Sequence, residues 1–340
     1  VGIGRGAGSM TPLPPAPSRL LDVDGSPRFG RYAGLAGAFD WPALAPPHAR
    51  GSVWRLFHHK RWHYVALSTP ALFCGVAIVD LGWTSTAFAY AFDRHKGKIV
   101  ASFSQDGIPG LCATVAPHAG ASSRFRFLSH VISIEAQPQQ RYRLRLDCGH
   151  FGIDAECGPP VSPTLLAVGP VAEGGSVHAT QKSGGLPLWG SVRCGAVGYS
   201  LDDGVASFDY SNGLLARETE WRWASAHSLD LGFNLQAGYF GAHENALWLD
   251  GQLYPLGRAH FDFNPDNPLA PWHVWTDDDL LDLHFRPEGA RREDKNLWIA
   301  ASRYIQPIGT FSGWVRASAD SPKRIVAQLA GVTESHRSRW

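Results

Sequence analysis

The sequence predicts an all-β protein built as two antiparallel β-barrels or sandwiches in tandem. Three observations carry that reading. Runs of strict period-two alternation recur from Trp54 onward, Asp-Gly and Asn-Gly turn signals punctuate them, and 37 glycines and 24 prolines in 340 residues leave little room for long helices. No amphipathic helix longer than about two turns can be traced, because apolar residues do not recur at three and four. One open sheet of so many strands would curl or split, so two units are expected.

Residues 1–9 (VGIGRGAGS) look like a phosphate-binding glycine loop, yet such a loop needs a strand before it and a helix after it. They read as a cloning remnant ahead of a native start at Met10. Residues 10–50 hold eight prolines, from Pro12 to Pro47, and little periodicity, so they read as an extended Pro-rich N-terminal arm. Residues 51–184 form the expected first barrel. There Phe88, Tyr90 and Phe92 share one strand face against Ala87, Ala89 and Ala91, and Tyr142, Leu144 and Leu146 oppose Arg141, Arg143 and Arg145. The SGGLP stretch at 183–187 marks the expected seam. Residues 185–340 form the second barrel, with Leu281, Leu283 and Phe285 alternating with Asp282, His284 and Arg286. Turns are expected at Asp106-Gly107, Asp203-Gly204, Asn212-Gly213 and Asp250-Gly251, where glycine supplies the backbone freedom of a tight hairpin.

Composition narrows the function. A net charge of +1 with no Lys/Arg block argues against nucleic acid, which demands concentrated positive charge. No apolar run reaches the roughly 18 residues of a membrane span. Cys74, Cys112, Cys148, Cys157 and Cys194 are odd in number, scattered and free of any CxxC, which predicts reduced thiols in a cytoplasmic protein. Fifteen histidines form no HExxH, and His58 and His59 point to opposite faces of a strand, so no metal is expected. No GxSxG elbow or dinucleotide motif follows a strand, so no cofactor and no covalent hydrolysis are expected. Oligomeric state leaves no mark in the sequence.

The chemistry concentrates in the second half. Asp209 and Arg217 flank Asn212-Gly213, and Trp221 and Trp223, two apart, share one strand face. The bland reading is a hairpin with an Arg–Asp bridge over a Trp-rich core. The sharper reading is a carboxyl held against indoles, where burial favours its protonated form and ring faces steady a developing cation. On that reading Asp209 and Glu244 are the candidate catalytic residues. Tyr210, Arg217, Trp221, Trp223, His243, Asn245 and His336 are the candidate substrate contacts. Arg217 is expected to turn inward onto Asp209 or Glu244, since an unpaired buried guanidinium is costly. The pocket is expected in the second barrel, the first supplying at most one wall of a cleft.

The chain also resembles a known family. It carries Asp209-x-x-x-Gly213-x-x-x-Arg217 with the paired tryptophans, then GAHENALWLDGQLYPLG at 241–257 and GVTESHRSRW at 331–340, after the block HKRWHYVALSTPALFCGVAIVDLGWTSTAFAYAFD at 59–93. These motifs resemble a bacterial family of unknown function, distantly similar to the lipocalin-like superfamily of carotenoid 1,2-hydratase and hydroxyneurosporene-synthase-like proteins. The resemblance implies two tandem lipocalin-like β-barrels, and places that superfamily's catalytic aspartate on Asp209. Ser207 and Tyr210–Gly213 depart from its pattern, so the resemblance implies a fold and leaves the substrate open.

Three functions follow as expectations. The first is a cofactor-independent lyase, hydratase or isomerase that moves protons on a hydrophobic small molecule, isoprenoid-, lipid- or polyketide-like. The second is a lipocalin-type binder that shelters an apolar ligand without turning it over. The third is a glycoside-active enzyme, which would need two carboxyls at a defined separation.

Overall fold

The computed structural model describes residues 12–37, 39–171, 174–296 and 301–340; the expected remnant at 1–9 lies outside them. The chain is all-β, with two sheets in which every strand pair is antiparallel. Among the described residues only Ser52–His58 forms an α-helix. Among the described residues no helix is long and apolar enough to cross a membrane.

The first sheet has 14 strands. From one edge it runs Lys98–Gly107, Ser85–Asp93, Leu72–Asp80, His59–Ser68, Gly204–Leu214, Val177–Cys194, Phe151–Cys157, Arg141–Cys148 and His130–Gln137, ending at Ser123–Phe127 and Ala113–Thr114. Ala113–Thr114 comes back against Leu72–Asp80 and Ser85–Asp93, which makes a nearly closed barrel. Val65, Val76, Phe125, Ile132, Leu144 and Phe208 fill it. The second sheet has nine strands and curls as a half-barrel around Phe233, Leu235, Trp272, Leu283, Phe285 and Phe311. Both cores follow the alternation legible in the sequence: Tyr142, Leu144 and Leu146 go inward in the first, Leu281, Leu283 and Phe285 in the second.

Sheet membership changes at residues 215–217, not at 184. The strand Val177–Cys194 runs through the SGGLP stretch with only a register shift between Ser183 and Leu186. Asp209 therefore stands on the first barrel. Asn212-Gly213 is likewise not a turn but part of Gly204–Leu214. Glycine is required there because a Cβ on Gly213 would lie 2.3 Å from Nδ1 of His178. Asp250-Gly251 does form the expected tight hairpin, at φ of 50° and 80°. The Pro-rich arm is stitched on by Gly30–Ala33, which pairs with Leu165–Pro170, and by Leu20, Trp41 and Leu44, which pack on Leu166, Val177 and Leu214.

The second alternating face explains how the two sheets meet. In Ser85–Asp93 the small residues Ala87, Ala89 and Ala91 turn into the barrel, while Phe88, Tyr90 and Phe92 turn out. Aromatic side chains on a barrel exterior would be a liability in water. Here they join Tyr64 and Phe73 in a layer packed against Trp223, Ile308 and Val332 of the second sheet. That layer is incomplete at one end, and the gap is the cavity.

Candidate functional site

The cavity holds about 300 Å³ between the outer faces of the two sheets, not inside the second barrel. This lies at the small end of the roughly 300–1,000 Å³ usual for ligand sites. One wall is a single register row across five strands of the first sheet. Lys182 pairs with Asp209, Asp209 with Tyr64, Tyr64 with Ala77 and Ala77 with Phe88, and all five side chains line the space. Directly opposed residues of adjacent strands share a face, which is why residues so far apart in sequence meet. The facing wall carries Trp221, Trp223, Gln236, Tyr239, Glu334 and His336.

The charged centre is Lys182. Its Nζ lies 2.6 Å from Oδ2 of Asp209 and 3.1 Å from Oε2 of Glu244. Lys182 and Glu244 are almost fully buried. Burial alone would pull the ammonium down, but Asp209 and Glu244 together outweigh it and hold Lys182 above the usual lysine value. Burial pushes the Glu244 carboxyl up, and the nearby Asp209 charge adds to this against the opposing pull of Lys182. Glu244 reaches Lys182 from the loop after Leu231–Gly238, where its carbonyl accepts a 3.0 Å bond from Nδ2 of Asn234. Two carboxyls thus share one cation in a cavity that is also lined by Trp62, Tyr64, Trp221, Trp223 and Tyr239.

A second polar group lies across the cavity. The indole N–H of Trp221 donates to Oε1 of Glu334 at 2.8 Å, and Nε2 of Gln306 donates to Oε2 at 3.0 Å. Tyr90 donates its hydroxyl to Gln306 Oε1. The His336 ring lies tilted against Trp221 at 4.2 Å between centroids, and its Nδ1 is 3.6 Å from Glu334. The phenol of Tyr239 is pushed well up by burial and then by the charges of Glu244, Asp209 and Glu334, and its hydroxyl lies 3.4 Å from Nε2 of His178.

The structure brings Asp209, Glu244, Trp221, Trp223 and His336 together on the cavity. It does not bring the other four. Tyr210 points into the first barrel, where its hydroxyl donates to the carbonyl of Ala116 at 2.8 Å, because neighbours of Asp209 on a strand must face the other way. Arg217 is exposed in the link between the sheets and does not line the cavity; Lys182 takes the place expected for it beside both acids. Asn245 clamps its own loop, its Oδ1 accepting from the backbone N–H of Gln236 at 2.6 Å and its Nδ2 donating to the Gly257 carbonyl at 2.9 Å. His243 packs at 5.0 Å from the Phe240 ring, also off the cavity. The terminal Glu334–Trp340 segment is not a loose tail, since Arg324–Arg339 is a central strand of the second sheet.

Away from the cavity, His273, Asp282 and His284 come within 4.8 Å of one another on adjacent strands, a group whose spacing could hold a metal ion. His273 Nε2 is already 2.8 Å from Asp282 Oδ1. The five cysteines are free and unpaired.

The family model described as Domain of unknown function (DUF2804) matches residues 15–340. No curated protein matches the sequence. Among solved structures, CghA superposes with a TM-score of 0.56 at 11% identity, covering 96% of this chain and 97% of that one. CghA with Sch210972 gives 0.50 at 10% identity, with 83% and 88% covered. A candidate AttH protein of Nitrosomonas europaea gives 0.51 at 14% identity, with 86% and 98% covered. At these identities the likeness is one of fold.

Proposed function

We propose that this chain, which belongs to the DUF2804 family, is a cofactor-independent acid/base enzyme acting on a hydrophobic small molecule by hydration or isomerisation. The single observation that carries the reading is the Asp209–Lys182–Glu244 group buried in an aromatic cavity between the barrels. A pure binder of apolar ligands gains nothing from buried carboxyls and an ammonium, which are expensive to desolvate. CghA, which shares the fold, has been crystallised with the small molecule Sch210972, and this supports a small-molecule site on a two-barrel frame.

In this reading Glu244 is the proton donor, because burial favours its neutral form. Its O–H bond breaks as a C–H bond forms on an alkene or enol carbon of the substrate. The carbocation so generated lies over Trp221 and Trp223, whose ring faces attract positive charge. Either water adds and gives up a proton to the Glu244 carboxylate, or a neighbouring C–H gives up its proton there and the double bond has moved. Asp209 holds Lys182 against Glu244 throughout. The charge of the site is thus conserved over each cycle.

The test is a panel of isoprenoid, lipid and polyketide-like compounds incubated with the protein and analysed by mass spectrometry and chromatography. Gain of one water, or altered retention at constant mass, is expected with wild type. Glu244→Gln should slow turnover by about 10² to 10⁴ while leaving binding intact. Tight binding without conversion, equal in both proteins, would establish the binder instead.

A further inference from the structure

We infer that the outer face of the second sheet binds a divalent transition-metal ion of the zinc type on His273, Asp282 and His284. The inference goes beyond the reading just given, since none of these residues lines the cavity. One ring nitrogen from each histidine and one carboxylate oxygen lie within 4.8 Å of one another. Around a tetrahedral zinc ion with bonds of about 2.0–2.1 Å, ligand atoms sit about 3.3–3.4 Å apart. The three side chains therefore close on an ion by small rotations, with the backbone unmoved.

Register and pleat bring the three together. Trp272–Thr276 and Leu281–Asn296 run antiparallel, with His273 directly opposite His284 and Trp275 opposite Asp282. Trp272, Val274, Leu283 and Phe285 fill the core, so the residues alternating with them turn outward. Packing holds the first ligand in place. The His273 ring stacks on both Trp275 and His284 at 4.5 Å between centroids, and its Nε2 is 2.8 Å from Oδ1 of Asp282. A metal ion takes the place of the proton between those two atoms. No short motif announces the group, because its members come from two strands and meet only through pairing.

The donor set selects the ion. Two imidazoles and one carboxylate suit zinc and its neighbours, whereas magnesium and calcium demand oxygen. Arg286, the next outward residue after His284, repels a cation held by charge alone, so bonds to nitrogen must carry the affinity. Asp262 pairs with His273 from the other side and shares its face, which puts a further oxygen in the same row. The place in the fold gives the ion a task. Trp272–Thr276 is next to the edge of an open sheet and joins each neighbour through four residue pairs. An ion that bridges it to Leu281–Asn296 binds the folded pair and not the unfolded chain, and so staples that edge.

Calorimetric titration of the tag-free, chelator-stripped chain with ZnCl₂ tests this. One ion should bind with a Kd below about 10 µM, and ZnCl₂ but not MgCl₂ should raise the thermal unfolding midpoint. His284→Ala and Asp282→Asn should each weaken zinc binding at least about tenfold and remove the rise. His150→Ala, an exposed histidine between two strands of the first barrel, should change neither. Thermal unfolding without metal shows whether each variant is folded. No zinc binding below about 1 mM, equal stabilisation by magnesium, or zinc binding that persists in both His284→Ala and Asp282→Asn would overturn the inference. The Lys182 group takes no part in the measurement, so neither result bears on the catalytic proposal.

Discussion

Lys182 and Asp209 face each other directly across two adjacent strands of the first barrel, with Nζ 2.6 Å from the carboxylate, although 26 residues of chain and a register shift lie between them. The pair stands on the barrel's outer face, and Glu244 of the second sheet closes on it at 3.1 Å. An ionic contact of this kind ties the two sheets together at the point where their apolar layer gives way to the cavity.

Lys182→Met should therefore be among the most damaging single changes in the chain. It leaves two buried carboxyls without their cation, and breaking a buried pair in this way costs about 3–5 kcal/mol. Adding Glu244→Gln should recover part of that loss, because one of the stranded charges is gone. Urea denaturation of the single and double variants measures both, and additive losses would show that the two groups do not interact.

Acid should weaken the fold before any surface carboxylate matters. His63 and His178 are completely buried. Burial drives His63 down to about 3, and drives His178 well below its usual value with help from Lys182 and His243. A depressed histidine binds fewer protons folded than unfolded between its folded value and 6.5, so stability falls as pH drops through that window. Each contributes at most about 1.4 kcal/mol per pH unit. Glu244, raised from 4.5, acts in the opposite sense just above that value, whereas His227, which burial also drives down to about 3, adds to the histidines. Denaturation midpoints should decline from pH 6.5 downward, and His63→Phe should flatten the decline.

The two sheets also meet at glycine. A Cβ on Gly184 would lie 1.9 Å from Nδ1 of His227, a residue of the second sheet. Gly184→Ala must push that ring aside and should destabilise the protein by about 1–3 kcal/mol. In a His227→Ala background the same change should be nearly neutral. A double-mutant cycle by chemical denaturation gives the coupling, and no coupling would mean that the contact is slack.

How much of this is legible in the sequence depends on the range of the interaction. Alternation is local, so the inward faces at Tyr142, Leu144 and Leu146 and at Leu281, Leu283 and Phe285 could be read directly. Trp221, Trp223 and Asp209 could be selected by type and proximity. Lys182 could not, because its role depends on strand register with Asp209 and on a loop from the other sheet. Gln236 sits in Phe233-Asn-Leu-Gln, a pattern that ordinarily signals a solvated outer face. Only the packing of a second sheet on that face makes it an interior. Tyr210 and Arg217 lie elsewhere for the complementary reason: nearness in sequence suggests a place beside Asp209, whereas the pleat turns Tyr210 away and the chain leaves the sheet before Arg217.

The sharpest prediction concerns how activity depends on pH. If Glu244 delivers the proton, turnover of an identified substrate should fall as pH rises through the raised Glu244 value, because the carboxyl then loses the proton that it must give. The position of that limb is set by two neighbours of opposite sign. Asp209 pushes Glu244 up and Lys182 pulls it down. Asp209→Asn should therefore move the limb to lower pH, and Lys182→Met should move it to higher pH, even though both lower the maximal rate. A merely structural role for either residue predicts a loss of rate with the limb unmoved. A limb that shifts the same way in both variants would remove Glu244 from the proton-donor role and return that role to Asp209, whose replacement by asparagine should then cost about 10² to 10⁴ in turnover at every pH.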